Sequence, residues 1–247
     1  MDKMIYIAMT GAKHAMYQQA ATAHNLANAS TTGFRAELNA FRALPVYGDG
    51  MPTRVFVADS TVGADFTPGV LQDTGRDLDV AVEGKGWLAV QMPDGTEAYT
   101  RDGSLQMSPN GLLQTRHGLN IMGDAGPIAI PPNVVVSVGK DGTVSTVPTD
   151  QTPNTVAVLG RIKLVNPPEE NLVKSGDGLF RLKDGNPAPA DVNVKLTSGA
   201  LEGSNVNVVD SLVSMIDQAR AFEMNMRLLR TADEDSQQAS RIMNLNA

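Results

Sequence analysis

The sequence predicts an α+β chain in which long N- and C-terminal helices pair as a coiled-coil-like domain, with a central, mainly antiparallel β-barrel or sandwich domain between them in the chain. Apolar residues recur at steps of four and three near both termini, the signature of a helical stripe. Between residues 70 and 206 they alternate instead, the period of a strand. Asp-Gly and Asn-Gly pairs separate the alternating runs and supply the positive φ of tight hairpin turns. The expected division is a discontinuous helical domain of residues 1–30 and 207–247, an extended connector of 31–69, and a β-rich domain of 70–206.

The first helix is expected over residues 3–28, with Ile5, Met9, Ala12, Met16, Gln19, Ala23 and Leu26 along one stripe. Its stop is the turn-prone run Asn28-Ala29-Ser30-Thr31-Thr32-Gly33, where Gly33 can take a left-handed conformation. Residues 34–69 keep no period, and Pro45, Gly48, Gly50, Pro52, Gly63 and Pro68 exclude a helix, which makes this the connector.

Leu78, Val80 and Val82 then alternate with Asp79, Ala81 and Glu83, and Leu88, Val90 and Met92 with Trp87, Ala89 and Gln91. Asp94-Gly95, Asp102-Gly103, Asn110-Gly111 and Asp141-Gly142 mark turns, and further apolar runs lie at 134–138, 156–164 and 179–182. The last helix opens after Gly203-Ser204-Asn205, with Asn205 or Asn207 as N-cap. Its stripe is Val208, Leu212, Met215, Ala219, Phe222, Met226 and Leu229, and it falters at Asp233 and Ser236.

Composition narrows the function. The chain has 247 residues and a formal charge of −7, with Lys and Arg dispersed, so neither nucleic acid nor an anionic membrane surface is an expected partner. It has no cysteine, which rules out disulfides, thiolate zinc sites and iron–sulfur clusters. No run approaches the roughly 18 apolar residues of a membrane span. Asp2 stands where a cleaved signal peptide would carry positive charge, so none is expected.

No catalytic constellation is visible, and neither an enzyme nor a cofactor is expected. His14, His24 and His117 lack the spacing of a metal face. Gly84-Lys85-Gly86 lacks the remainder of a phosphate loop and reads as a turn. Asp77 and Asp79 are expected to face solvent from a strand, and Arg101 and Asp102 to form an ion pair beside a turn. The helical stripes leave two readings open: a hairpin closed within one molecule, or helices shared with neighbouring subunits, toward which their small side chains point.

The run Ala23-His24-Asn25-Leu26-Ala27-Asn28-Ala29-Ser30-Thr31-Thr32-Gly33-Phe34-Arg35 resembles the N-terminal signature of bacterial flagellar rod and hook proteins, a motif borne by Asn25, Leu26, Ala27, Asn28, Ser30, Thr31, Gly33 and Phe34. The runs Leu78-Asp79-Val80-Ala81-Val82-Glu83-Gly84-Lys85-Gly86-Trp87-Leu88, Tyr99-Thr100-Arg101-Asp102-Gly103-Ser104 and Gly199-Ala200-Leu201-Glu202-Gly203-Ser204-Asn205-Val206-Asn207 look like the family's later motifs, in order. The length is similar to that of the two larger rod subunits. The opening Met1-Asp2-Lys3-Met4-Ile5-Tyr6, the run Gly33-Phe34-Arg35-Ala36, Trp87 and Leu179-Phe180-Arg181-Leu182 look most like the proximal type.

The resemblance implies a structural subunit of the periplasmic drive shaft, with no reaction and no cofactor. Its implied partners are other copies of itself, neighbouring proximal rod proteins, the distal rod protein and the flagellar type III export apparatus. It further implies that the terminal helices form an inner tube, with Ile5, Met9, Ala12, Met16, Ala23, Leu26 and the stripe from Val208 to Leu229 as assembly surface. The alternatives are a distal rod subunit and, from another class, a secreted β-barrel that binds or cleaves glycans with Asp77 and Asp79.

Overall fold

The computed structural model describes residues 4–45, 55–148 and 156–245. The chain divides into two compact units, one of Met1–Ala27, Glu37–Ala64 and Val206–Ala247, the other of Asn28–Ala36 and Asp65–Asn205.

The first unit holds helix α1 (Met4–Ala27), strands β1 (Glu37–Pro45) and β2 (Val55–Ala64), and helix α2 (Val208–Leu245). The helices pack antiparallel: Gly11 lies beside Asn225, and Gln218 Nε2 donates to Thr22 Oγ1 at 3.0 Å. Ala8, Ala12 and Ala15 are buried, so α1 presents a face of small residues that lets its backbone approach closely. A Cβ at Gly11 would meet Asn225 Oδ1 at 2.7 Å.

Asn207 is the cap of α2. Its Oδ1 accepts from the N–H of Val209 at 3.0 Å, and its Nδ2 donates to Asp210 in the first turn, where a carboxylate complements the helix dipole. The segment expected as an extended connector is extended but pairs with itself: β1 and β2 form an antiparallel ribbon, from Glu37 opposite Ala64 to Pro45 opposite Val55. Two arms satisfy each other's backbone groups, which a single arm leaves to water. Gly48, Gly50 and Pro52, named as breakers, lie outside the described residues.

The second unit contains β3 (Leu71–Asp73), β4 (Val80–Glu83), β5 (Trp87–Gln91), β6 (Glu97–Thr100), β7 (Leu105–Met107), β8 (Leu113–Thr115), β9 (Asn120–Gly123) and β10 (Gly126–Pro127). It continues with β11 (Val134–Val138), β12 (Thr143–Pro148), β13 (Ala157–Arg161), β14 (Leu164–Val165), β15 (Leu172–Lys174), β16 (Phe180–Leu182), β17 (Lys195–Ser198) and β18 (Ala200–Glu202). A nine-stranded antiparallel sheet follows the order β15-β16-β6-β5-β9-β8-β7, with β10 beside β9 and β14 beside β5. A second sheet is β11-β12-β13, and β17-β4 and β18-β3 are separate pairs.

This corrects the expectation of a barrel. The nine-stranded path ends at β15 on one side and β7 on the other, so among the described residues no sheet closes on itself. The core gathers side chains from the nine-stranded sheet, the β11-β12-β13 sheet and the β17-β4 pair, among them Val82, Leu88, Leu113, Val144, Leu164 and Leu196. Alternation was the sequence signal, yet Val80, Ala81 and Val82, and Trp87, Leu88, Ala89 and Val90, are all buried. Both faces of β4 and β5 are covered. No described helix is long and apolar enough to cross a membrane.

Candidate functional site

The motif leaving α1 does its first work within the helical unit. Asn25 uses both ends of one amide on Glu37: its Nδ2 donates to the carbonyl at 2.9 Å and its Oδ1 accepts from the N–H at 2.8 Å. The side chain thus imitates a strand neighbour for the first residue of β1. His24 Nδ1 lies 3.3 Å from Glu37 Oε2.

The remainder of the motif belongs to the β-rich unit. Asn28 and Thr31 close a turn, with the Thr31 N–H donating to the Asn28 carbonyl at 3.1 Å. Thr32 Oγ1 donates to Asp102 Oδ1 at 2.8 Å. Gly33 has φ 66°, and a Cβ there would stand 2.3 Å from the Arg101 carbonyl carbon, so both its conformation and its surroundings demand glycine. Phe34 is buried beneath Lys174, whose ammonium lies 4.0 Å from the ring centroid and also donates to the Arg35 carbonyl at 2.9 Å.

At the centre is a buried ionic node. Arg35 Nη2 and Glu202 Oε1 are 2.6 Å apart, with side chains 0 % and 1 % exposed. Arg101 Nη1 reaches Glu202 Oε2 at 2.9 Å and also donates to the Val82 carbonyl at 3.2 Å. Gly69 N–H gives the carboxylate a third donor at 2.8 Å, and Gly33 N–H holds the Glu202 main-chain oxygen at 2.8 Å. Burial lowers the Arg101 pKa, opposed by the neighbouring Glu202 charge. Two guanidiniums share one carboxylate, so removing Glu202 leaves two buried cations without a counter-charge.

Aromatic rings line this region. Arg101 lies over Trp87, 5.3 Å from its centroid, and Trp87 meets Phe180 at 4.5 Å and Phe66 at 6.0 Å. Asn205 fastens neighbouring backbone: its Oδ1 accepts from Ala36 N–H at 2.8 Å, and its Nδ2 donates to the Asp65 carbonyl at 2.9 Å. Every oxygen of Glu202 is taken up by donors that fix chain segments, so the arrangement is one that holds geometry.

Two sequence readings are corrected. Arg101 pairs with Glu202 rather than with Asp102, whose Oδ1 accepts from Thr32 and from Ser104 Oγ at 2.6 Å. Asp77 is exposed as expected, but Asp79 is buried, ion-paired with Arg76 at 2.8 Å and accepting from Thr74 Oγ1. It sits just before β4, bridged to Ser104, where both faces are covered. Glu97 is held by Lys163 at 2.7 Å with little exposure.

On α1, Ala12 of the expected stripe is buried and Ile5 and Leu26 are half-buried, whereas Met9, Met16 and Ala23 are exposed. On α2, Met215, Ala219, Phe222, Met226 and Leu229 are half-buried, and Val208 and Leu212 are exposed. Sequence reasoning did not single out Thr32, Lys174 or Glu202, and it offered Asn205 only as an alternative N-cap of the last helix, a place that Asn207 takes. Thr32, Glu202 and Asn205 do lie inside the motif runs, which is the signal that would have found them. Lys174 carried none.

The motif runs that stood apart in the sequence therefore meet in one buried cluster. The sequence matches the family model for the flagella basal body rod protein over residues 5–35, that for the flagellar hook protein FlgE/F/G D1 domain over 81–146, and that for the flagellar basal body rod FlgEFG protein C-terminal over 197–242. The chain belongs to the flagellar basal-body rod protein family. Within it, the chain is 46 % identical to the flagellar basal-body rod protein FlgF of Escherichia coli K12, both chains being covered in full, and equally to that of Salmonella typhimurium LT2. Its identity to a flagellar basal-body rod protein FlgG, from Buchnera aphidicola of Schizaphis graminum, is 32 %, covering 96 % of this chain and 98 % of the relative.

Proposed function

We propose that this chain is a structural subunit of the flagellar basal-body rod, of the proximal type, which polymerises in the periplasmic shaft that transmits torque and encloses the export channel. The helices α1 and α2 form its assembling surface. Its partners are other copies of itself, neighbouring proximal rod proteins, the distal rod protein and the type III export apparatus, through which it leaves the cell. The proximal assignment is supported by the 46 % full-length identity to the relatives named FlgF from Escherichia coli K12 and Salmonella typhimurium LT2.

One observation carries the assembly reading. The helices turn large apolar side chains outward: Met9 and Met16 on α1 are 53 % and 56 % exposed, and Val209, Val213 and Ile216 on α2 are exposed along one side. Apolar faces of this kind on a soluble subunit are surfaces for other proteins.

Phe222 is the test. It is the aromatic residue of the α2 stripe and is half-buried. Phe222→Asp places a charge where apolar neighbours meet, at a cost of about 3–5 kcal/mol to the helical contacts. We expect the variant to keep the β-rich unit's melting transition but to be absent from purified basal bodies by immunoblot, with swimming in soft agar abolished. Normal incorporation would remove the helical stripe as the polymerisation surface.

A further inference from the structure

The chain enters and leaves the β-rich unit through short segments around residues 28–36, 65–70 and 199–205. Each is fastened at Glu202 or beside it. Glu202 holds Gly33 and Arg35 of the first segment and Gly69 of the second, and it lies itself in the third. Next to it, Gly203 N–H donates to the Val70 carbonyl at 2.9 Å, and Asn205 grips Ala36 and Asp65. The remaining oxygen of the carboxylate reaches Arg101, which continues into the sheet through the carbonyls of Val82 and Gly84.

We propose that Glu202 is the mechanical anchor of the β-rich unit, the group that passes tension in the connecting segments into the sheet through Arg101. Charge-assisted hydrogen bonds are roughly twice as strong as neutral ones, and they act here where no water competes. Because both oxygens and the main-chain carbonyl of Glu202 are engaged together, a pull on any one segment loads several bonds in parallel. A segment held only by successive backbone bonds would peel one bond at a time. Arg35 adds to this, since it adjoins the Ala36 N–H that Asn205 holds, and its own carbonyl is held by Lys174.

The use of such an anchor rests on the rod-subunit reading, because a torque-bearing subunit must pass load between its parts. Its existence can be tested on the isolated full chain by single-molecule pulling. The chain has no cysteine, so introduced ones are unique attachment points. In one geometry the two termini are pulled. In the other the handles are at Pro93→Cys and Lys140→Cys, exposed turn positions of the β-rich unit. For Glu202→Gln we expect the force that unfolds the β-rich unit to fall roughly two-fold through the termini and to stay nearly unchanged through the turns.

Equal losses in both geometries would make Glu202 an ordinary stability residue and overturn the proposal, as would no loss in either. Should Glu202→Gln abolish folding, the same two pulls on Arg35→Lys decide by the same criterion, because that substitution keeps the buried charge and removes the guanidinium contact. Rod assembly plays no part in this measurement. Failure of the anchor therefore leaves the rod-subunit reading standing, and failure of Phe222→Asp to block incorporation leaves the pulling result standing.

Discussion

The helical unit and the β-rich unit bury their residues in opposite ways. In the β-rich unit, distant segments converge on a closed core of branched aliphatics and aromatics, and even its charges, Arg35, Arg101 and Glu202, are inside and paired. In the helical unit, the fully buried side chains of α1 are alanines, while Tyr6, Met9, Met16 and Tyr17 point outward. Small residues permit close backbone approach but remove little apolar area from water. The β-rich unit thus encloses a core of large side chains, whereas the helical unit buries small ones and leaves large apolar ones exposed.

The sharpest way to break that comparison is amide hydrogen exchange on the monomer. We expect amides of α1 and α2 to exchange at least about a thousand-fold faster than those of β5, because little apolar burial opposes local opening of the helices. Equal protection would mean that the helices are stabilised within one chain.

A smaller effect is expected at the node. Glu202→Ala should destabilise the β-rich unit by about 3–5 kcal/mol, since two guanidiniums lose their buried counter-charge, and should leave helix exchange unchanged. Chemical denaturation followed by Trp87 fluorescence measures it, and a loss under about 1 kcal/mol would show that the node is solvated.

Smaller again is the contrast between two ion pairs. Lys163–Glu97 is mostly buried, whereas Lys85–Glu169 has side chains 80 % and 46 % exposed. Glu97→Ala should cost about 1–3 kcal/mol and Lys85→Ala less than about 0.5 kcal/mol. Indistinguishable denaturation midpoints would remove the assigned difference in burial.

The smallest effect is a pH slope. Tyr99 is buried, its hydroxyl accepting from Ala188 N–H at 2.7 Å, and burial raises its pKa from 10.0 to about 12. A raised folded-state pKa gives stability that is complete below the unfolded value and is lost as pH rises through the folded value. The β-rich unit should therefore weaken between about pH 10 and 12, and Tyr99→Phe should flatten that slope. Thermal melts across this range check it, and an unaltered slope in Tyr99→Phe would assign the loss to other groups.

Local rules made much of this protein legible from its residues. Periods of 3.6 and 2 separate the terminal helices from the strands, because side-chain direction follows backbone geometry within a few residues. Asn207 declares the start of α2 and Gly33 the positive φ after α1, again through neighbours in the chain. Tertiary structure decided what depends on distant partners. Arg101 stands next to Asp102, yet its carboxylate is Glu202, because the fold brings β18 and its flanking segments beside the end of β6 and excludes water there. Asp79 reads as a solvent-facing residue of an alternating strand and is buried because β4 is covered on both faces. The open ends of the nine-stranded sheet were likewise beyond reach, since alternation fixes which way side chains point and leaves unstated which strand each edge will meet.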